Sequence, residues 1–202
     1  TTTGTGSDDD PGSDDPGALY ARAHQQHAET LARLSSTFPD LWLVELDGDR
    51  VVHTVAGGPE IGNEITTGGL GDTIVGQLFA TELRRTTAGE VALSDVGPYL
   101  VGPSMFLAEI VRDGNEIIGA VAVRVPVEAL DALMTAEGRW SDVGLGDTGE
   151  TYVVGRDQRL RSSARRHIED PDGHLDALRR RGDTELAEIV AATGSTVLVT
   201  PV

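Results

Sequence analysis

The hydrophobic residues change their spacing several times along the chain, and each spacing predicts one kind of element. Residues 18–37 contain no Gly or Pro. Within them, five residues recur at intervals of four and three and would lie on one side of a helix: Leu19, Ala23, His27, Leu31 and Leu34. This pattern predicts an amphipathic helix. Residues 1–17 contain only Gly, Ser, Thr, Pro and Asp. This composition, which has no large apolar side chain to bury, predicts a flexible acidic leader.

Alternating apolar and polar residues predict strands in the middle of the chain. LWLVELDGDRVVHTV, residues 41–55, predicts a hairpin that turns at Asp47-Gly48, because Asp-Gly supplies the positive φ angles of a tight turn. A second hairpin is predicted in residues 104–127, turning at RDGN, and a third in residues 150–164. A short strand is predicted near residue 91, and a last strand in STVLVTPV at residues 195–202.

Helical patterns separate these strands. They cover about Leu70 to Thr86, residues 127–138, and residues 175–193 with a break near Gly182. Hairpins that alternate with helices predict an α+β fold with antiparallel pairing, because a parallel sheet needs a regular alternation of single strands and helices.

Composition narrows the classes of partner. The formal net charge is -17, and the 16 basic residues are all arginine. A phosphate backbone needs a basic patch, so nucleic acid is not an expected partner. The one dense basic stretch, residues 156–166, is interpreted as a solvated surface hairpin. There is no cysteine, which excludes disulfides and thiol chemistry, and no run of about 18 apolar residues that would span a membrane.

No motif in the chain predicts a catalytic residue, a metal site or a cofactor. Gly144-x-Gly146-x-x-Gly149 has the spacing of a dinucleotide loop, but it precedes a predicted strand where that loop needs a helix. VGPSMF, around Ser104, lacks the last glycine of a hydrolase nucleophile elbow. The five histidines form no recognisable metal set, and His24 and His27 are expected to be exposed on the first helix. An unfamiliar hydrolase site stays the least favoured alternative.

Several strings resemble the extracytoplasmic Cache sensor domains of chemoreceptors, sensor histidine kinases and membrane-bound cyclases. GLGDTGETYVVGRDQRLRSSAR, residues 144–165, followed by IEDPDGHLDALRR and GSTVLVTPV, is similar to the second, membrane-proximal module of double-Cache domains. LWLVELDGDRVVHTV, SDVGPYLVGPSMFLAEIV and GNEIIGAVAVRVPVEALDALM agree more loosely with the first module. The resemblance implies a membrane-distal module at residues 18–137, with a long helix and a PAS-like five-stranded antiparallel sheet, and a membrane-proximal module at residues 138–202.

Two departures from the family change these expectations. Second modules normally continue beyond the segment GSTVLVTPV, so the smaller α+β module at residues 138–202 is expected to be incomplete. The amino-acid-binding motif of the family contains Arg-x-Trp, whereas Arg139 and Trp140 are adjacent here. An amino-acid ligand is therefore not predicted from the sequence.

The resemblance also implies a small-molecule pocket between the distal sheet and the loops over it. Ser104 and Phe106 share one face of their strand by alternation. DVGPY places Asp95 and Tyr99 nearby, and Trp42 and His53 lie on the first hairpin, which should border the same cavity. Each has a plainer alternative: the large aromatic residues can be core, and His53 can be a surface or hydrogen-bonded histidine.

These observations lead to one functional hypothesis and one alternative. The hypothesis is a ligand-sensing domain on the extracytoplasmic side of the membrane, dimerising through helix 18–37 and anchored by segments outside this chain, with no cofactor and no enzymatic activity of its own. Binding of a small solute would bias one of two arrangements of the helix. The alternative is a secreted or surface domain with a Cache-like fold that binds a protein and has no signalling output.

Overall fold

A computed structural model describes residues 16–37, 40–87, 89–193 and 196–197. Most of the predicted leader and most of the predicted last strand lie outside these residues. The chain divides into two compact units between residues 39 and 40. The first contains helix α1, Pro16–Thr37, which confirms the predicted helix and begins two residues earlier. His24 and His27 are exposed on it, as predicted. No helix in the described ranges is long and apolar enough to cross a membrane.

The second unit is built on one antiparallel sheet. Its five strands are β1 Leu41–Glu45, β2 Arg50–Thr54, β3 Ala92–Leu93, β4 Ser104–Asp113 and β5 Glu116–Pro126. They lie in the order β2-β1-β5-β4-β3, and every neighbouring pair is antiparallel. The predicted α+β class, the five-stranded antiparallel sheet and the first two hairpins are thereby confirmed.

The first hairpin differs in the detail of its turn. The residue with a positive φ is Asp49, at 48°, whereas the prediction assigned the positive φ angles to Asp47-Gly48. Aspartate tolerates this left-handed conformation better than most residues because its short polar side chain bonds locally. The second hairpin does place a glycine there, since Gly114 has a φ of 58°.

Short helical segments cover one face of the sheet. They are α2 Gly68–Gly71, α3 Ile74–Gln77, a π-helical turn at Leu78–Glu82 and a 3-10 turn at Leu83–Arg85. The prediction of one helix from Leu70 to Thr86 is wrong, because Thr73 interrupts it. The Thr73 hydroxyl donates to the Leu70 carbonyl at 2.6 Å and accepts from the Gly76 amide at 3.5 Å, which ends one helix and begins the next.

The main core lies between these helical segments and the sheet. The sheet contributes Trp42, Val44, Phe106, Ala108, Ala120 and Ala122, and the segments contribute Leu70, Val75, Leu78, Phe79 and Leu83. Alternation along each strand brings these residues to one face. Small alanines on β4 and β5 leave room for the large aromatic side chains beside them.

Beyond the sheet, α4 Val127–Thr135 leads into irregular chain. The predicted third hairpin is reduced to a single bridge between Val154 and Leu160. The Val153 amide donates to the Ser162 hydroxyl at 2.8 Å, where a strand would donate to a backbone carbonyl. The remaining helices are α5 Arg165–Glu169, α6 Pro171–Arg181 and α7 Thr184–Thr193. The predicted break near Gly182 is confirmed, since this residue has a φ of 82° and caps α6.

Candidate functional site

Three aromatic side chains meet on the helix-covered face of the sheet. The ring centroids of Trp42 and Phe106 are 5.4 Å apart, those of Tyr99 and Phe106 are 5.2 Å apart, and those of Trp42 and Tyr99 are 5.9 Å apart. The tilted and edge-to-face geometry is the favourable one for aromatic pairs. Tyr99 reaches the cluster from the Gly/Pro-rich loop between β3 and β4, and it carries the only hydroxyl of the three.

A polar network surrounds Tyr99. Its hydroxyl donates to the carboxylate of Glu60, a residue only 7% exposed. The Arg124 guanidinium lies over the Tyr99 ring, 5.0 Å from the centroid, and is paired with the carboxylate of Asp40. The Arg124 Nε also donates to the Ser104 hydroxyl at 2.9 Å. Burial, and then the Glu60 carboxylate, raise the pKa of Tyr99, so its hydroxyl stays protonated and available as a donor.

An open cleft of about 460 Å³ leads from the surface to Glu60. Its walls are Arg50, Pro59, Glu60, Gly62, Asn63, Glu64, Thr67, Gly68, Gly69, Leu70 and Leu100. Glu64 is tied to the Thr67 hydroxyl at 2.9 Å and lies 3.6 Å from Arg50, so the wall is ordered by its own polar contacts. A buried carboxylate at the base of a polar cleft can receive an ammonium or a hydroxyl donor from a small molecule.

The structure brings together four of the six residues predicted for the site. Trp42, Tyr99, Ser104 and Phe106 all lie in the aromatic cluster or its polar network. Trp42 and Phe106 are 1% and 0% exposed, which places them in the core behind the cleft and matches the plainer alternative for both.

His53 does not border this cavity. The register pairs Trp42 with Thr54 and Leu43 with His53, so His53 lies on the opposite face of the sheet from Trp42. The expectation that both residues face one cavity is corrected by this register, because neighbouring residues of a strand point to opposite faces.

Asp95 does not line the Glu60 cleft either. It accepts a bidentate ion pair from Arg161, with Nε to Oδ1 at 2.7 Å and Nη2 to Oδ2 at 2.8 Å. Arg161 is therefore buried, with a side chain 5% exposed, and it contacts Asp157 at 3.0 Å as well. This ion pair joins the loop after β3 to the region after residue 138, so Asp95 holds two parts of the chain together.

The interpretation of residues 156–166 as a solvated hairpin is wrong for two of its arginines. Arg161 is buried as described, and Arg165 lies over the Trp140 ring at 4.4 Å with a side chain 11% exposed. Both guanidinium groups have fixed acceptors, which is why they can leave water.

Three residues of the polar network, Asp40, Glu60 and Arg124, were missed in the sequence. Arg124 had a signal, because it is the one charged residue in the apolar run AVAVRVPV of β5. Glu60 had none, since it lies in a turn 39 residues before its partner Tyr99. A further pair, His167 and His174, meets with ring centroids 5.7 Å apart. No group of three or more metal-ligating side chains occurs in the part of the chain that the structure describes.

No family model matches the sequence, and a search of curated proteins finds no match. Among solved structures, the chain is similar to the ligand-binding domain of the Pseudomonas fluorescens chemoreceptor CtaA in complex with L-serine. The identity is 14%, the TM-score is 0.45, and the match covers 73% of this chain and 55% of that chain. The ligand-binding domain of Mlp24 with asparagine matches at 12% identity and a TM-score of 0.41, over 77% of this chain and 66% of that one.

This chain thus spans little more than half of the CtaA domain. The CtaA structure is a chemoreceptor ligand-binding domain, and the Mlp24 structure is a ligand-binding domain.

Proposed function

We propose that this chain is a ligand-sensing domain of a transmembrane receptor, facing the extracytoplasmic side, and that it binds a small solute at the Glu60 cleft. The observation that supports this most is the buried Glu60 carboxylate at the base of the cleft, held by the Tyr99 hydroxyl. Such a group costs free energy to bury and is favoured where a ligand's donor can complete its hydrogen bonds.

The chemistry of the cleft favours a solute that carries an ammonium or hydroxyl group. Glu60 can only accept hydrogen bonds when ionised, and the Tyr99 hydroxyl already donates to it from the aromatic cluster. The Arg124 guanidinium lies over the Tyr99 ring and is already paired with the Asp40 carboxylate, which neutralises its charge, so Arg124 supports the cluster.

A thermal-shift screen tests the proposal. Amino acids, amines, organic acids and purines form the compound set, and it includes L-serine and asparagine because the neighbours were solved with them. A ligand at 100 times its Kd is expected to add about 2.7 kcal/mol to the free energy of unfolding. No shift with any compound would favour the alternative, a protein-interaction domain without a small-molecule ligand.

Glu60→Gln is the matched test of the site. The amide keeps the size of the side chain and can still accept from Tyr99, so the fold is expected to persist. The affinity for an ammonium ligand found in the screen is expected to fall by about 10- to 100-fold, the cost of losing a charged hydrogen bond. Glu137→Gln, at an exposed glutamate outside the cleft, is the control and should bind normally. Equal binding by Glu60→Gln contradicts the site.

A further inference from the structure

A second cleft, of about 570 Å³, opens beside the β1–β2 turn. It lies where the β1–β2 turn, the start of β5 and the 3-10 turn approach one another. Its walls are Glu45, Leu46, Asp47, Phe79, Leu83, Arg84, Ile110, Glu116, Ile117 and Ile118. It shares no wall residue with the Glu60 cleft.

The inner surface of this second cleft is apolar. Phe79 and Leu83, each 1% exposed, belong to the main core and form its base. Leu46 and Ile110 are partly buried beside them. Ile117 and Ile118 are 46% and 57% exposed, which is unusual for two successive isoleucines on a strand. A volume of this size with an apolar base suits a small organic molecule.

The rim of the second cleft is acidic. Glu45, Asp47 and Glu116 supply three carboxylates, against one guanidinium, that of Arg84. Arg84 is already paired with the Asp49 carboxylate, at an Nη2 to Oδ2 distance of 2.5 Å. Asp47 and Glu116 are exposed and have no ion-pair partner among the described residues. The rim therefore attracts cations and repels anions.

We infer that the second cleft binds a small organic ammonium ion with an apolar body. The apolar part would cover Ile117 and Ile118, and the ammonium group would lie between Asp47 and Glu116. Charge complementarity selects this occupant over a neutral or anionic molecule of the same shape. The inference concerns a site separate from the Glu60 cleft and does not depend on the function proposed for it.

Three probes with the same phenylethyl body and a different charge test the inference. They are 2-phenylethylammonium, 2-phenylethanol and 3-phenylpropionate, titrated into the 15N-labelled chain and followed by two-dimensional NMR. The ammonium probe is expected to shift the amide signals of Asp47, Ile117 and Ile118. The Kd of the ammonium probe should be the lowest of the three, about five times lower than that of the alcohol. It should rise with added NaCl, because salt screens the attraction between the ammonium group and the carboxylates. Equal Kd values for the ammonium and the alcohol would overturn the inference.

Variants separate the charge from the apolar surface. Asp47→Asn and Glu116→Gln are each expected to weaken the ammonium probe by roughly two- to fivefold, the value of an exposed ion pair, and to leave the alcohol unaffected. Ile118→Ser should weaken both probes. Glu109→Gln, at an exposed glutamate of β4 outside the cleft, is the control.

Two outcomes would assign the surface or the probe differently. Shifts confined to Glu60 and Tyr99, abolished by Glu60→Gln, would place the amine in the first cleft and overturn the inference. Signals of Ile117 and Ile118 that move with protein concentration and not with any probe would show that a second copy of the chain covers this surface.

Discussion

Replacing Asp95 by asparagine is expected to weaken the joint between the sheet and the region after residue 138. The substitution keeps the shape of the side chain and removes its charge. It leaves the Arg161 guanidinium, whose side chain is 5% exposed, with Asp157 as its remaining carboxylate partner. A buried cation that loses half of its counter-charge raises the free energy of the folded state.

The magnitude follows from the geometry and the exposure of the two partners. Hydrogen bonds to charged groups contribute about 1.5–3 kcal/mol each, but the Asp95 side chain is 53% exposed and water screens it. We therefore expect Asp95→Asn to lower the free energy of unfolding by about 1.5–2 kcal/mol. Arg161→Ala should cost more, about 3 kcal/mol, because it also leaves a void, and Asp157→Asn should cost less than 1 kcal/mol.

Urea denaturation monitored by circular dichroism measures these differences. The exposed pair of Arg139 and Glu137, with side chains 63% and 73% exposed, is the control, and Glu137→Gln should stay within about 0.5 kcal/mol of the parent. If Asp95→Asn costs no more than Glu137→Gln, the ion pair does not hold the two regions together.

The pH dependence of the same group gives a second readout. The Arg161 guanidinium holds the pKa of Asp95 below its usual range, against the opposing effect of burial. The folded pKa lies below the unfolded one, so this stabilisation is complete above about pH 5, and it is lost as the pH falls through the unfolded and then the folded pKa. Asp95→Asn should flatten this acid part of the stability profile, and an unchanged profile would contradict the assignment.

Two further predictions concern packing and a buried imidazole. Gly76→Ala should lower the free energy of unfolding by about 1–3 kcal/mol, because its Cβ would lie 2.6 Å from the Gly71 Cα. Gly69→Ala has open space around its Cβ, so it should be neutral or slightly stabilising in the same urea assay. Burial lowers the pKa of His174. The free energy of unfolding should therefore fall as the pH drops from about 7.5 to 5.5, because the unfolded state takes up a proton near pH 6.5. His174→Phe should reduce that fall, whereas His24→Gln, at an exposed histidine, should not.

The sheet was predictable because its strands follow alternation and carry their turn signals locally. The second hairpin, with Gly114 at the turn, is the clearest case. The helical cover was harder, because the interruption at Thr73 depends on a hydroxyl that bonds backbone groups on both sides. A periodic run of apolar residues does not reveal such a competing hydrogen bond.

Part of the candidate site was predictable, from the face of a strand for Ser104 and Phe106 and from the loop DVGPY for Tyr99. Ser104 and Phe106 share a face by alternation, and they do lie together. His53 was misplaced because the cross-strand register, which the sequence leaves open, decides the face of each residue. Glu60 depends on a contact with Tyr99 that spans 39 residues, and no local pattern could indicate it.

The glycine triplet of residues 144–149 shows why spacing alone cannot assign a phosphate loop. Such a loop binds its anion with backbone N–H groups that point at the ligand. Here the Arg165 Nη1 donates to the carbonyl oxygens of Gly146 and Gly149, at 2.8 and 2.7 Å, and the Gly149 amide donates to the Leu145 carbonyl. The loop presents carbonyl oxygens to a cation, the opposite polarity to a phosphate site. A Cβ at Gly149 would also collide with the Leu145 carbonyl oxygen, so its glycine is explained by a close backbone approach.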